Sequence, residues 1–210
     1  RTVVIYSLGT IYLGLNSLFT SILNALNLAE LGVGSAMVFM MYDPVARDDK
    51  EKICALLNFY KTAYFIIGLV VTILGFSVLP FLNYFIKGEY PSDIILHLIY
   101  IIQLLSTSFG YFFMAYKGSV VNVYQRNDVI SKYSLLTDIG MYLGQIVALL
   151  GFKNFYIYTL FILLRTVVYN LLVSKYVDRN FQEIKAKGRI QKTERRKIFV
   201  KIGALMGNKI

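Results

Sequence analysis

Five stretches of this chain are each long and apolar enough to cross a lipid bilayer: residues 13–42, 62–86, 94–116 with a continuation to 124, 133–150 and 155–174. A spanning helix needs about 20 mainly apolar residues, because in hydrocarbon each backbone N–H and C=O has to find its partner inside the segment. A closed β-barrel satisfies the backbone too, but its strands are about 10 residues long and alternate strictly. The run FIIGLVVTILGF does not alternate. The chain is therefore expected to be all-α, a polytopic transmembrane bundle over residues 1–176. A basic cytoplasmic linker at 177–197 and the start of a further transmembrane helix at 198–210 are expected to follow.

Composition supports this class. The hydrophobic share is 57% and the mean hydropathy is +0.58. A soluble core of this size would need amphipathic helices with wide charged faces, whereas here the charge is confined to the breaks. The formal net charge of +10 is not read as a nucleic-acid signal, since about half of the 22 Lys and Arg lie after residue 174. A basic stripe beside a membrane span attracts anionic lipid headgroups, at about 1 kcal/mol per residue near the surface. The single cysteine, Cys54, excludes an internal disulfide and reads as a small residue near the core. Arg1 precedes an apolar run without a signal-peptide pattern, and the end of the sequence reads as the approach to another apolar segment, so a piece of a longer polytopic chain is expected.

The breaks orient the spans. The break at 43–61 holds Arg47, Lys50, Lys52 and Lys61, and the one at 117–132 holds Lys117, Arg126 and Lys132. The alternate breaks, at 83–93 and 151–154, hold only Lys87 and Lys153. Cytoplasmic loops carry the excess of Lys and Arg, so the first span is expected to run inward and the tail to be cytoplasmic. Asp43-Pro44 is expected to end the first span. Arg47 with Glu51 and Asp48 with Lys52 are expected as i,i+4 pairs on a short surface helix. Gly88 and Pro91 mark an outer turn, with Pro91-Ser92-Asp93 opening the next helix. Arg126-Asn127-Asp128 reads as a tight turn.

At 100° per residue the polar residues of each span fall largely on one face. The first span gives Asn16, Thr20, Asn24, Asn27, Glu30 and Gly34; the second, Asn58, Lys61, Gly68, Thr72 and Gly75. The third gives Gln103, Ser106, Thr107, Gly110 and Lys117; the fourth, Ser131, Ser134, Asp138, Tyr142 and Gln145; the fifth, Tyr158, Arg165 and Tyr169. Such faces point into the bundle or a wet cavity, and their small residues also serve close helix packing. Arg165 lies roughly 15 Å from either end of its span at 1.5 Å per residue. A charge there costs about 2.5–3.5 kcal/mol on insertion scales, so Arg165 needs a partner, a cavity or an anionic ligand. Asp138, on the adjacent antiparallel helix, is the nearest carboxylate. Glu30 is either a structural acid bonded to Arg1, Lys61 or Lys117, or a proton site. Lys117 is either a cavity cation or a side chain reaching the surface. His97, near the outer end of its span, reads as interfacial. No metal-spaced His/Cys/Asp cluster, glycine-rich phosphate loop or Ser/His/Asp set is present. Asp48-Asp49 lacks a third acid and is flanked by lysines. No enzyme is expected.

The run IYSLGTIYLGLNSLFTSILNALNLAELGVGSAMVFMMYDPVA resembles the segment after the first helix of bacterial polysaccharide transporters. These are the lipid-linked oligosaccharide flippases of the multidrug/oligosaccharidyl-lipid/polysaccharide exporter superfamily. YLGLNSLFTSIL and LAELGVGSA carry the most specific likeness; YKTAYFIIGL, LPFLNYFIKG and GYFFMAYKGSVVNVYQRND follow in order. The resemblance implies a MATE-like protein of two six-helix lobes around a central cavity. This chain would supply most of the N-terminal lobe, helices two to six, with helix seven starting near Ile198. It further implies that cavity cations engage the diphosphate of an undecaprenyl-linked oligosaccharide. By position these would be Arg1, Lys117 and Arg165. Asn27, Gln103 and Gln145 would add polar lining, and Glu30 or Asp138 would couple transport to Na+ or H+. No cofactor is implied. The partners would be the lipid-linked oligosaccharide, the missing C-terminal lobe and membrane lipids, with anionic headgroups at the basic tail.

Flipping of that oligosaccharide by alternating access, in the bacterial cytoplasmic membrane and for capsule, O-antigen or exopolysaccharide, is the leading expectation. A cation-coupled multidrug exporter of the same superfamily would show cavity acids in excess of cations. An integral-membrane glycosyl- or prenyl-transferase would need clustered acids or a base at a membrane face. A non-transporting membrane scaffold would be indifferent to Arg165.

Overall fold

The computed structural model describes residues 2–30, 33–86 and 95–207. Over these it is helical with no strand. The elements are α1 (Thr2–Leu8), α2 (Thr10–Leu26), α3 (Val33–Ala46), α4 (Lys50–Val78), α5 (Leu82–Phe85), α6 (Leu96–Phe112), α7 (Gly118–Val123), α8 (Asn127–Gly151), α9 (Phe155–Asn180) and α10 (Lys192–Gly207). Short 3-10 turns stand at Asn27–Glu30, Leu79–Phe81 and Ala115–Lys117.

Three helices are long and apolar enough to span a membrane: Lys50–Phe85, Asn127–Gly151 and Phe155–Asn180. The pair Leu96–Phe112 and Ala115–Val123, bent by 50°, makes a fourth if it is one span. Their lengths follow from local chemistry. Asp49 caps α4 by accepting from the Lys52 N–H at 3.0 Å, and the Asn154 side chain caps α9 by accepting from the N–H groups of Tyr156 and Ile157. Each cap satisfies donors that the first helical turn leaves open. Large apolar side chains stand exposed on α4 (Phe65, Ile66, Leu69, Ile73), α8 (Leu135, Leu136, Leu143) and α9 (Leu160, Leu164). In water such continuous surfaces would be sticky; in a bilayer they meet lipid. The chain is a helical membrane protein.

The bundle has two packed cores, one toward each end. Tyr12, Phe19, Leu82, Tyr100, Leu104 and Phe155 belong to one. Met37, Met41, Leu56, Tyr60, Val120 and Val173 belong to the other. Close helix approach is built on glycine. At Gly75 an added Cβ would lie 2.2 Å from Leu104 Cδ1, and at Gly144 it would lie 2.2 Å from Phe161 Cε1. The bared Gly75 carbonyl accepts from the Tyr100 hydroxyl at 3.1 Å. Polar residues of the expected stripes bond across the same contacts. Gln103 Nε2 donates to Asn16 Oδ1 at 2.9 Å, Thr72 to Ser108 at 2.8 Å, and the hydroxyls of Ser106 and Thr166 share a bond at 3.2 Å.

Several boundaries differ from the sequence expectation. The stretch 13–42 is not one helix. It divides into α2, of 17 residues, and α3, of 14, around the turn at Asn27–Glu30, and each is shorter than the ~20 residues a span needs. Pro44 does not stop the helix but lies inside α3. The chain turns later, at Asp48, whose φ of 51° is a conformation that Asp tolerates better than most residues. With the helix interrupted between Ala46 and Lys50, the expected i,i+4 pairs do not form. Arg47 bonds back to Asp43 at 2.9 Å, and Lys52 reaches Glu194 at 2.6 Å. Arg126 bonds Asp128 at 2.9 Å and leads into α8 after Gln125 takes a φ of 56°. The expected outer turn at Gly88 and Pro91 lies outside the described residues.

The segment read as a linker at 177–197 is folded. α9 continues to Asn180, residues 181–191 lie as a strap across the start of α4, and α10 begins at Lys192. The strap is pinned by Asn58 Nδ2 donating to the Gly188 carbonyl at 2.9 Å and by the Lys185 N–H donating to Cys54 Sγ at 3.3 Å. Gly188 takes a φ of +84° where it lies against Ala55. Lys50 bonds Glu183 and holds that exposed carboxyl below its usual range. The Tyr124 ring meets Phe181 at 4.6 Å. The basic breaks at 47–52 and 124–128 and the strap thus gather at one end of the bundle.

Candidate functional site

α8 and α9 are antiparallel neighbours, and their facing stripes bring Asp138 and Arg165 together. Arg165 Nε donates to Asp138 Oδ1 at 2.8 Å and its Nη2 donates to Ser134 Oγ at 3.0 Å. Ser134 in turn donates to Asp138 Oδ2 at 3.1 Å. The guanidinium lies 5.1 Å from the Tyr169 ring centroid. The pair is only half-buried, with side chains 28% and 33% exposed. A half-open cleft of about 230 Å³ lies beside it, apolar apart from Arg165 and Thr137, with walls from Gly140, Phe161 and the lipid-facing Leu136 and Leu164. One carboxylate occupies one edge of the guanidinium while space remains next to the group, and a planar guanidinium can hold a second anion through its remaining donors.

Seven residues are about two helical turns, so Gln145 and Tyr158 lie on the same faces as Asp138 and Arg165, displaced by about 10 Å toward the other helix ends. There they border a second cavity, of about 570 Å³, between α2 and the α8–α9 pair. Asn16, Ser17, Thr20, Ser21 and Tyr142 add hydroxyls and amides to its wall. Gln145 Nε2 donates to the Tyr158 carbonyl at 3.3 Å. This polar chamber is open on one side, where Ser17, Thr20, Ser21 and Tyr142 are exposed, and it offers a hydrogen-bonding wall suited to a hydroxylated guest. Gln103 lies behind the wall, buried and bonded to Asn16.

Glu30 stands at the turn between α2 and α3. Its carboxylate accepts from the hydroxyls of Tyr64 and Tyr111, the latter at 2.8 Å. Tyr111 also approaches Asn27 Oδ1 at 2.9 Å. Gly34 leaves room for the ring ends, since its virtual Cβ lies 3.3 Å from the Tyr60 hydroxyl. Glu30 has no ion pair among the described residues: Lys61 lies over the Tyr116 ring at 5.9 Å, and Lys117 turns elsewhere.

Lys117 donates to Ser174 Oγ at 2.9 Å and to Asp178 Oδ1 at 2.6 Å. This places it at the basic end, away from the Arg165 pair and the polar chamber. Arg1 lies outside the described residues. The structure therefore brings together Arg165 with Asp138, Gln145 with Tyr158, and Glu30 with Asn27, as three separate groups. His97 is exposed near the start of α6. No group of three or more His, Cys, Asp or Glu able to hold a metal is found among the described residues. Sequence reasoning missed Asp178, because it ended the last span at 174; Ser174 and Asp178 are one turn apart on the continuing helix. It also missed Tyr64 and Tyr111, which read as apolar bulk although a buried phenol seeks a partner. No protein family, curated protein or solved structure matches this chain.

Proposed function

We propose that the chain is most of the N-terminal lobe of a MATE-like exporter. In this reading it moves undecaprenyl-diphosphate-linked oligosaccharide across the bacterial cytoplasmic membrane by alternating access, for capsule, O-antigen or exopolysaccharide. The observation that carries the reading is Arg165, a permanent cation in the middle of a membrane-length helix, held by one carboxylate and bordered by open space. In a site of low dielectric a diphosphate gains more from such a cation than it would in water. The polar chamber suits sugar hydroxyls, while the polyprenyl tail stays in lipid beside the exposed apolar faces. Lys117, with its charge directed to Asp178, serves the closing of the basic end. Arg165→Ala in the full-length transporter is expected to abolish surface polysaccharide while the protein still inserts, as read by membrane fractionation; normal polysaccharide would remove Arg165 from the mechanism.

A cation-coupled multidrug exporter of the same superfamily is favoured by one observation, the Glu30 carboxylate ringed by hydroxyls with no cation paired to it among the described residues. Glu30→Gln keeps one acceptor oxygen, enough for Tyr64, while Tyr111 retains Asn27 Oδ1. On this second reading it should end ion-dependent drug efflux and leave polysaccharide untouched. As a coupling site of the flippase it should instead remove the dependence of export on the Na+ or H+ gradient.

A further inference from the structure

Where the strap and α10 fold back on α4 they leave a groove of about 390 Å³, with Asn58, Thr62 and Ile66 on one wall and Arg189, Arg195 and Phe199 on the other. None of the described lining residues is acidic. The nearby carboxylates are engaged elsewhere, Glu183 by Lys50 and Glu194 by Lys52. Arg189 and Arg195 have no ion pair among the described residues, and the Arg195 guanidinium rests over the Phe59 ring at 5.8 Å.

The depth of the groove is fixed by α4. The rod Lys50–Phe85 has 36 residues, about 54 Å at 1.5 Å per residue, against a hydrocarbon core of about 30 Å. Its charged residues end at Lys61, so the turn carrying Asn58 and Thr62 marks the boundary between headgroups and hydrocarbon. Below that turn Ile66 and Ile73 are 54% and 59% exposed. The groove is therefore cationic at headgroup level and continuous with a lipid-facing apolar stripe beneath, bordered by exposed Phe199.

We propose that this groove is a site for one anionic phospholipid. The phosphate lies between Arg189 and Arg195, and an acyl chain descends past Ile66 and Phe199. The bound lipid ties the strap and α10 to α4 and offsets two guanidiniums that have no ion pair among the described residues.

The test uses the whole chain in detergent, with phosphatidylglycerol retention read by native mass spectrometry. Phosphatidylcholine is the neutral lipid and inorganic phosphate the soluble anion. Phosphatidylglycerol should be retained and phosphatidylcholine should not. R189Q/R195Q should weaken retention roughly tenfold to thirtyfold, the value of two basic contacts near a membrane surface. K185Q/K187Q makes the same change of charge on the same strap outside the groove and should keep the lipid. Thr62→Trp fills the groove without altering charge and should lose it. Equal losses in the two double variants would show diffuse attraction and overturn the site, as would lipid retained by Thr62→Trp. Competition by inorganic phosphate as effective as the lipid would overturn the lipid assignment.

Discussion

The Arg165–Asp138 pair separates a structural from a working cation at the level of single side chains. Removing one partner strands the other charge. For a pair about one-third exposed the loss is well below the 3–5 kcal/mol of a fully buried one, and about 1–2 kcal/mol is expected. Asp138→Ala should therefore lower thermal stability by that amount, and adding Arg165→Ala should restore most of it. A double-mutant cycle on the purified protein reads the coupling, and strict additivity would show that the two groups are independent. Export decides the role: if the pair only holds helices together, the double variant regains export along with stability. If Arg165 meets the substrate, stability returns and export does not. The meeting of these two residues was legible in the sequence, because depth along adjacent antiparallel helices follows from residue counts. The hydroxyl ring around Glu30 was not, since nothing in the sequence alone orients the phenols of Tyr64 and Tyr111 toward one carboxylate.

Among the helices, contact is set by which glycines face a neighbour. Gly75 faces Leu104, which is fully buried and has nowhere to go. Gly140 has nothing within 4 Å of an added Cβ. Gly75→Ala should cost about 1–3 kcal/mol by overpacking. Gly140→Ala should be neutral or stabilising by up to about 1 kcal/mol, because Ala favours the helix. Thermal unfolding of the two variants side by side checks the contrast, and equal effects would contradict the packing described. Gly75 falls on the polar face of its span and Gly140 does not, yet only the packing shows that Leu104 lies against Gly75 and nothing lies against Gly140. Likewise the hydrophobic period runs on through 27–32, so the division between α2 and α3 left no mark that a count of apolar residues could find.

For the molecule as a whole, orientation in the membrane is the open variable that the charge pattern predicts. The basic breaks at 47–52 and 124–128 and the strap share one end, and Lys153 lies at the other end of α8. Cys54 is buried at 3% exposure and gives a silent background for labelling. Lys153→Cys should react with a membrane-impermeant maleimide on intact cells, while Arg126→Cys and Arg179→Cys should react only after the cells are opened. The reverse pattern would invert the orientation and set aside the positive-inside reading.

The membrane-length apolar runs determined by themselves that this is a helical membrane protein, because hydrocarbon leaves the backbone only a helix or a closed barrel and these runs do not alternate. The spacing of charge along them also determined which residues had to find company. For Arg165 the count along the helices already pointed to Asp138, but the tertiary structure alone decided the rest of that company: Asp178 beside Lys117, two tyrosines around Glu30, and a strap clasped to α4 where the sequence read only a basic linker. Burial and pairing depend on which faces meet, and that is a property of the packed bundle rather than of any one helix.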